Sequence, residues 1–337
     1  MAGSGTAHLR DGAAAVLRAE HLVAEFPVRR RQVVHAVSDV SFDVLEGETV
    51  GLVGESGCGK SSTGRAILQI PSPTSGSVTL DGTELTTLNA KDLRGIRPRI
   101  QMIFQDAMSS LNPRLTVRQI VAEGLDIQGT LDDTATTETV DRMLSAVGLD
   151  PESFGERKPR QLSGGQAQRV CIARALVLNP RLVVCDEPVA ALDVSVQAQI
   201  VNLLEDMKDT FALSMVFIAH DLAVVRSVSD RMIVMYLGKI CEVGPSDEVC
   251  ANPAHPYTKL LLSAVPGTGS AGDDLSIEAD GELPSPLNPP SGCRFRTRCP
   301  LADDRCATEE PVIRELAPGQ YVACHHAGKP SAAVGAS

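Results

Sequence analysis

Short apolar runs alternate with longer amphipathic stretches over residues 21–250. The runs at 49–53, 99–104, 182–185, 215–219 and 231–235 have the length of buried strands. Apolar runs separated by helical patterns belong to a sheet covered by helices, so the pattern predicts an α/β fold with a mainly parallel sheet. Residues 76–85 enclose Asp81-Gly82 and predict a β-hairpin, the start of an antiparallel part. Residues 113–160 lack strand runs and carry helix-like patterning, which marks a helical subdomain reaching to about residue 180.

Composition draws the outer boundaries. Residues 1–20 are rich in Ala and Gly and predict a flexible N-terminus. Residues 266–292 are dense in Pro, Gly, Asp and Ser and read as a linker. The chain thus divides into a main domain at 21–250, an extension at 251–330 and a flexible tail at 331–337. With 43% apolar and 22% charged residues it is an ordinary globular chain of 337 residues. The net charge of −11 argues against a nucleic-acid partner, and the one basic run, at 29–31, reads as a solvated strand end. The apolar stretches at 212–219 and 260–265 fall short of the roughly 20 residues that cross a bilayer. No signal peptide is recognisable at the start, so the expectation is a soluble, cytoplasmic chain whose membrane role comes through a partner.

Directly after the run at 49–53 comes Gly54-Glu55-Ser56-Gly57-Cys58-Gly59-Lys60-Ser61, followed by Ser62. Its glycines let backbone N–H groups close around a β-phosphate. Lys60 supplies a charge to the β and γ phosphates, Ser61 a hydroxyl to Mg²⁺, and the following helix turns its positive end to the anion. The segment predicts a nucleoside triphosphate site. The run at 182–185 leads into Asp186-Glu187, two acids at the edge of a parallel sheet, where such folds bind ligands. Asp186 is placed to hold Mg²⁺ through its waters, and Glu187 to polarise the attacking water.

The pentapeptide Leu162-Ser163-Gly164-Gly165-Gln166 then brings a resemblance to the ATP-binding cassette (ABC) family. Taken alone, Ser163 and Gln166 form a helix capping box. The resemblance implies that Ser163, Gly164, Gly165 and Gln166 complete the γ-phosphate site of a second cassette subunit, head to tail. It implies a Mg²⁺ and water contact for Gln105, a γ-phosphate contact for His220, and communication between the two sites for Asp193. Phe26 looks like the aromatic that stacks on adenine, with His35 as rival, although residues 28–34 look inserted. Two departures stand out: Ala167 occupies a position that is often basic, and Ala190 one that is often Ser.

Residues 252–266 resemble the His-Pro-Tyr segment of oligopeptide and dipeptide importer ATPases, and residues 105–113 and 281–286 are similar to that branch. His255-Pro256-Tyr257 itself reads as a turn opening an amphipathic helix. The resemblance implies an ATPase that drives peptide import from the cytoplasmic face of a bacterial inner membrane. Its partners would be a second cassette, two permease subunits and an extracytoplasmic peptide-binding protein. Import of nickel or another small solute, or a soluble non-transport role, stays open.

Nine cysteines occupy positions 58, 171, 185, 241, 250, 293, 299, 306 and 324. The first five sit among apolar positions and read as small hydrophobes, and disulfides are not expected in a reducing compartment. Cys293, Cys299, Cys306 and Cys324 cluster, which suits an iron–sulfur cluster, zinc or free thiols; their wide spacing fits a zinc site poorly. The peptide-importer branch is similar here and implies a [4Fe–4S] cluster, its charge offset by Arg294, Arg296 and Arg298.

Overall fold

The computed structural model describes residues 5–12, 14–28, 32–129, 131–190, 192–264 and 282–328. The basic run at 29–31, Ala191, most of the linker and the tail from 331 lie outside the described residues.

Strands β1 (Ala15–Pro27) and β2 (Val33–Leu45) form a long antiparallel hairpin. Next come β3 (Thr49–Val53), α1 (Lys60–Ile67), and the hairpin of β4 (Ser75–Leu80) and β5 (Thr83–Glu84). Asp81 and Gly82 take positive φ between these two strands, as a tight hairpin turn requires. After α2 (Ala90–Ile96), β6 (Ile100–Ile103) leads into helices α3 (Ala107–Ser110), α4 (Val117–Gln128), α5 (Asp133–Ala146), α6 (Pro151–Phe154) and α7 (Gly164–Leu176). The chain returns through β7 (Leu182–Asp186), α8 (Val194–Phe211), β8 (Ser214–Ala219), α9 (Leu222–Val228), β9 (Arg231–Tyr236) and β10 (Lys239–Pro245). Helices α10 (Ser246–Ala251), α11 (Pro256–Ser263) and α12 (Asp304–Thr308) and strands β11 (Arg314–Ala317) and β12 (Gln320–Val322) complete it.

Two sheets result, in the orders β2-β1-β4-β5 and β11-β12-β10-β9-β3-β8-β7-β6. The first is antiparallel, and in the second β9, β3, β8, β7 and β6 run parallel. Strands β7, β8 and β9 are buried along their whole length, which is why they read as unbroken apolar runs. Helices α4, α5 and α6 fall in the stretch 113–160, with α3 before it and α7 after it.

Two expectations about the ends need correction. Residues 15–20, expected to be loose, begin β1, and the segment before them is anchored too. His8 and Leu9 are buried, and Arg10 pairs with Asp43 at 2.7 Å and Glu48 at 2.6 Å, carboxylates that Arg231 also reaches. Buried acids need such partners, so this network ties the N-terminal segment to the sheet. Of the apparent insertion at 28–34, Val33 and Val34 belong to β2, paired with Pro27 and Phe26, and the Val28 N–H donates to the Gln32 carbonyl.

The extension packs onto the large sheet. Val322 pairs with Glu242, so β11 and β12 prolong the large sheet. The buried Glu242 carboxylate accepts from the N–H groups of Ala254 and His255, the Thr258 hydroxyl and Gln320 Nε2. One acid on β10 thereby holds both α11 and β12. His255 caps α11 through Nδ1, which accepts from the Tyr257 N–H at 3.0 Å, with Pro256 at the first helical position. Burial pushes the His255 pKa down to about 3, so its ring stays neutral.

Candidate functional site

Strand register brings the predicted residues to one edge. Ile103 lies level with Cys185 and Cys185 with Phe217, while Asp186 matches Ile218 and Val53 matches Ala219. The loops that leave these strand ends carry Gln105, Glu187, Gly54 and His220. Parallel strands place their C-terminal ends together, so residues scattered over 166 positions of sequence become neighbours.

The loop after β3 wraps the start of α1. Gly59 has φ 108°, and a Cβ there would overlap the Ala36 carbonyl, so only glycine fits between the β2 backbone and the loop. Ser56 and Gly57 are exposed and Cys58 is buried. Lys60 is 3% exposed, and its Nζ donates to the carbonyls of Gly54 at 2.6 Å and Glu55 at 3.0 Å. Its ammonium is thus held beside the cradle formed by the loop. Ser61 and Ser62 follow on the first turn of α1.

Ser61 Oγ donates to Asp186 Oδ1 at 2.6 Å. A hydroxyl and a carboxylate joined at a phosphate loop form an oxygen donor set suited to Mg²⁺. Burial raises the Asp186 pKa, and a cation would offset that cost.

Glu187 follows with φ 49°, a left-handed conformation that costs energy for a side chain of this size. Its N–H donates to the Ile218 carbonyl, which locks the turn. Gln105 Nε2 donates to Glu187 Oε2 at 2.9 Å, and His220 Nδ1 lies 3.5 Å from the same oxygen. Glu187 is largely shielded, with its side chain 12% exposed, whereas His220 and Gln105 are open to solvent. A carboxylate so held, next to a phosphate loop, can orient a water for attack.

The remaining predicted residues lie apart from this group. Ser163 and Gln166 form the expected capping box at the start of α7, through Gln166 N to Ser163 Oγ at 3.3 Å and Ser163 N to Gln166 Oε1 at 3.0 Å. Asp193 caps α8, accepting from the Val196 N–H and the Ser195 hydroxyl. These two helix starts touch: a Cβ on Gly165 would meet Val196, and one on Gly164 would meet Leu192. Beside them Val194 is 82% exposed. Ala167 is fully buried among core residues, so a long basic side chain has no room there, while Ala190 is exposed. Phe26 is half-buried against the core under the antiparallel sheet. His35 pairs with Glu25 at 2.8 Å, and its neighbour Ala36 touches the phosphate loop.

All nine cysteines are free thiols, and Cys58, Cys171, Cys185 and Cys241 are buried as expected of small hydrophobes. The four late ones converge. The Cys293 N–H donates to the Cys306 carbonyl at 2.8 Å. Burial, and then the proximity of the other thiols, pushes the Cys293 pKa to about 11 and that of Cys299 to about 12. Among the described residues, the group tight enough to share one ion is Asp303, Cys306 and His326. The sequence reading passed over Asp303 and His326, although His326 stands two residues after Cys324.

The three arginines expected to offset a cluster point elsewhere. Arg296 donates to the Ser291 carbonyl, Arg294 to that of Leu237, and Arg298 forms a two-pronged pair with Glu55 of the phosphate loop. That last contact was also missed, since nothing local in the sequence links positions 55 and 298.

Known proteins match both halves. The family model "ABC transporter" matches residues 37–190, and "Oligopeptide/dipeptide transporter, C-terminal region" matches residues 241–306. The putative oligopeptide transport ATP-binding protein YkfD of Bacillus subtilis is 50% identical over 313 residues, covering 92% of this chain and 95% of that protein. The oligopeptide transport ATP-binding protein AppF of the same organism is 49% identical over 309 residues, covering 89% and 94%. Among solved structures, the dimeric post-hydrolysis state of the ATP-binding cassette MJ0796, bound to ADP and Pi, is 30% identical with a TM-score of 0.62, covering 68% of this chain and 98% of that one. CbiO1 from Clostridium perfringens, part of the transporter complex cbiONQ, is 28% identical with a TM-score of 0.63, covering 71% and 92%.

Proposed function

This chain belongs to the ABC transporter ATP-binding proteins, in the branch that serves oligopeptide and dipeptide transport, and we propose that it couples ATP hydrolysis at Glu187 to peptide import. The convergence of Gln105 and His220 on one oxygen of Glu187, beside the Ser61–Asp186 pair, carries this reading.

In it, residues 54–62 would cradle the phosphates, Lys60 would neutralise them, and Ser61, Asp186 and Gln105 would hold Mg²⁺, which would draw charge from the γ-phosphate. Glu187 orients the attacking water, and His220 contacts the γ-phosphate. Phe26 stacks on the adenine. Ser163, Gly164, Gly165 and Gln166 lie on a face with Asp193 and the exposed Val194, and that face meets the nucleotide of a second cassette subunit. Each site then needs two chains, so bound ATP holds the dimer together.

A groove between β6 and α4, rimmed by Arg97, Glu123 and Arg174, presents Ile70, Phe104 and Ile127 to solvent, and Phe104 immediately precedes Gln105. Exposed apolar surface next to a nucleotide-sensing residue suits the cytoplasmic helix of a permease subunit. No helix among the described residues is long and apolar enough to cross a membrane. We place the chain on the cytoplasmic face of the inner membrane, held by two permease subunits, with an extracytoplasmic peptide-binding protein selecting the cargo.

We assign Cys293, Cys299, Cys306 and Cys324 to a [4Fe–4S] group on the resemblance of the extension to the peptide-importer branch. They converge, and as thiolates they would repel one another in a buried site unless a metal group balanced their charge. Such a group would join α12, the segment just after β12 and the segment that carries Cys293 and Cys299. Affinity purification from detergent-solubilised membranes tests the assembly: two permeases and a second cassette are expected, and recovery of ribosomes or DNA instead would contradict it.

A further inference from the structure

The extension reaches the phosphate loop at Glu55 from two directions. The Glu55 N–H donates to the Tyr257 hydroxyl at 2.7 Å. Arg298 Nη1 and Nη2 donate to Glu55 Oε2 and Oε1 at 2.8 and 3.0 Å. The Glu55 carbonyl meanwhile accepts from Lys60 Nζ. One residue of the loop therefore has its N–H and its carboxylate held by the extension, and its carbonyl by the lysine that serves the phosphates.

The holding groups are themselves fixed. Tyr257 is fully buried and the Arg298 side chain is 9% exposed. The rings of Tyr236, Tyr257 and Phe295 pack edge-on or tilted at 4.7 to 5.4 Å, and the Arg298 guanidinium lies over Tyr236 and Phe295. Leu283 approaches the loop at Gly57, and the Gly238 N–H donates to the Cys58 carbonyl at 2.6 Å. Edge-on aromatic rings and a forked guanidinium give a stiff support, because few rotamers satisfy all the contacts together.

Charge adds a second reason for the pair. Glu55 puts a carboxylate in a loop that must receive phosphate oxygens, and like charges at this range repel strongly in a shielded site. Arg298 pairs with that carboxylate through both its terminal nitrogens and neutralises it. We propose that Arg298 and Tyr257 are positioning residues for nucleotide binding: the extension braces the phosphate loop through Glu55 and so sets the affinity for the diphosphate part of ATP and ADP. This deepens the ATP-binding reading and rests on it.

Binding of a fluorescent ATP analogue, and its displacement by ATP and by ADP, tests the proposal on the purified full-length protein. Turnover at saturating ATP is measured in the assembled transporter. Arg298→Ala should weaken ATP and ADP in parallel, by about tenfold, while kcat changes less than about twofold. Arg298→Lys keeps the charge but not the fork and should lie between, which covers the case of an Arg298→Ala protein that fails to fold. The charge exchange Glu55→Arg with Arg298→Glu should recover most of the affinity. Unchanged affinity in both Arg298 variants would overturn the proposal. So would a loss confined to ATP, or a parallel fall in kcat that the exchange does not repair. Absence of nucleotide binding by the unsubstituted protein would instead sink the ATPase reading itself.

Discussion

Gln105 Nε2 donates a 2.9 Å hydrogen bond to Glu187 Oε2, although the two residues are 82 positions apart. The bond joins the loop after β6 to the end of β7, and hence the root of the helical subdomain to the carboxylate proposed to orient the attacking water. His220 completes the arrangement from the end of β8, 3.5 Å from the same oxygen. Removing either partner should impair chemistry more than binding. We expect His220→Ala to lower kcat by about 10²–10³-fold and Gln105→Ala by about tenfold, with nucleotide dissociation constants nearly unchanged. Steady-state turnover and equilibrium nucleotide binding separate the two effects; equal losses in both would contradict these roles.

Glu242 is the stability counterpart. Its buried carboxylate satisfies two backbone N–H groups, one hydroxyl and one amide. Glu242→Ala leaves those donors without partners in the core, a cost on the order of 3 kcal/mol or more. The thermal midpoint should fall by roughly 5–10 °C. A midpoint within about 1 °C of the unsubstituted protein would show that the extension is held by other means.

The thiol cluster makes a compositional prediction. Protein purified without oxygen should carry about four iron atoms and as many acid-labile sulfides per chain, and Cys299→Ser should remove most of both. Zinc in place of iron, lost on His326→Ala, would move the metal to the Asp303, Cys306 and His326 group. Absence of both metals would leave the cysteines as free thiols.

The nucleotide site was legible because its chemistry is written in contiguous segments. Residues 54–61, 162–166 and 186–187 each carry their spacing locally, and the apolar runs before them fix the strands. The β4–β5 hairpin was legible for the same reason, through Asp81-Gly82. What escaped was long-range. Arg10 finds Asp43 and Glu48, Val322 pairs with Glu242, and Arg298 meets Glu55 over 243 positions, contacts that depend on the finished fold. A segment rich in Ala and Gly looks loose until buried acids give its one arginine a partner. The two arginines flanking Phe295, like Arg298, looked like counter-charges for thiols because sequence proximity hides the direction in which a side chain points. Arg294 and Arg296 instead tie down carbonyls.

Glu187 is the residue on which coupled ATP hydrolysis depends most directly in the proposed function. In the transporter reassembled with its permeases in lipid vesicles, Glu187→Gln should lower ATP turnover by about 10³-fold or more, while ATP still binds and draws two cassette subunits together. Turnover within about twofold of the unsubstituted complex would contradict the account.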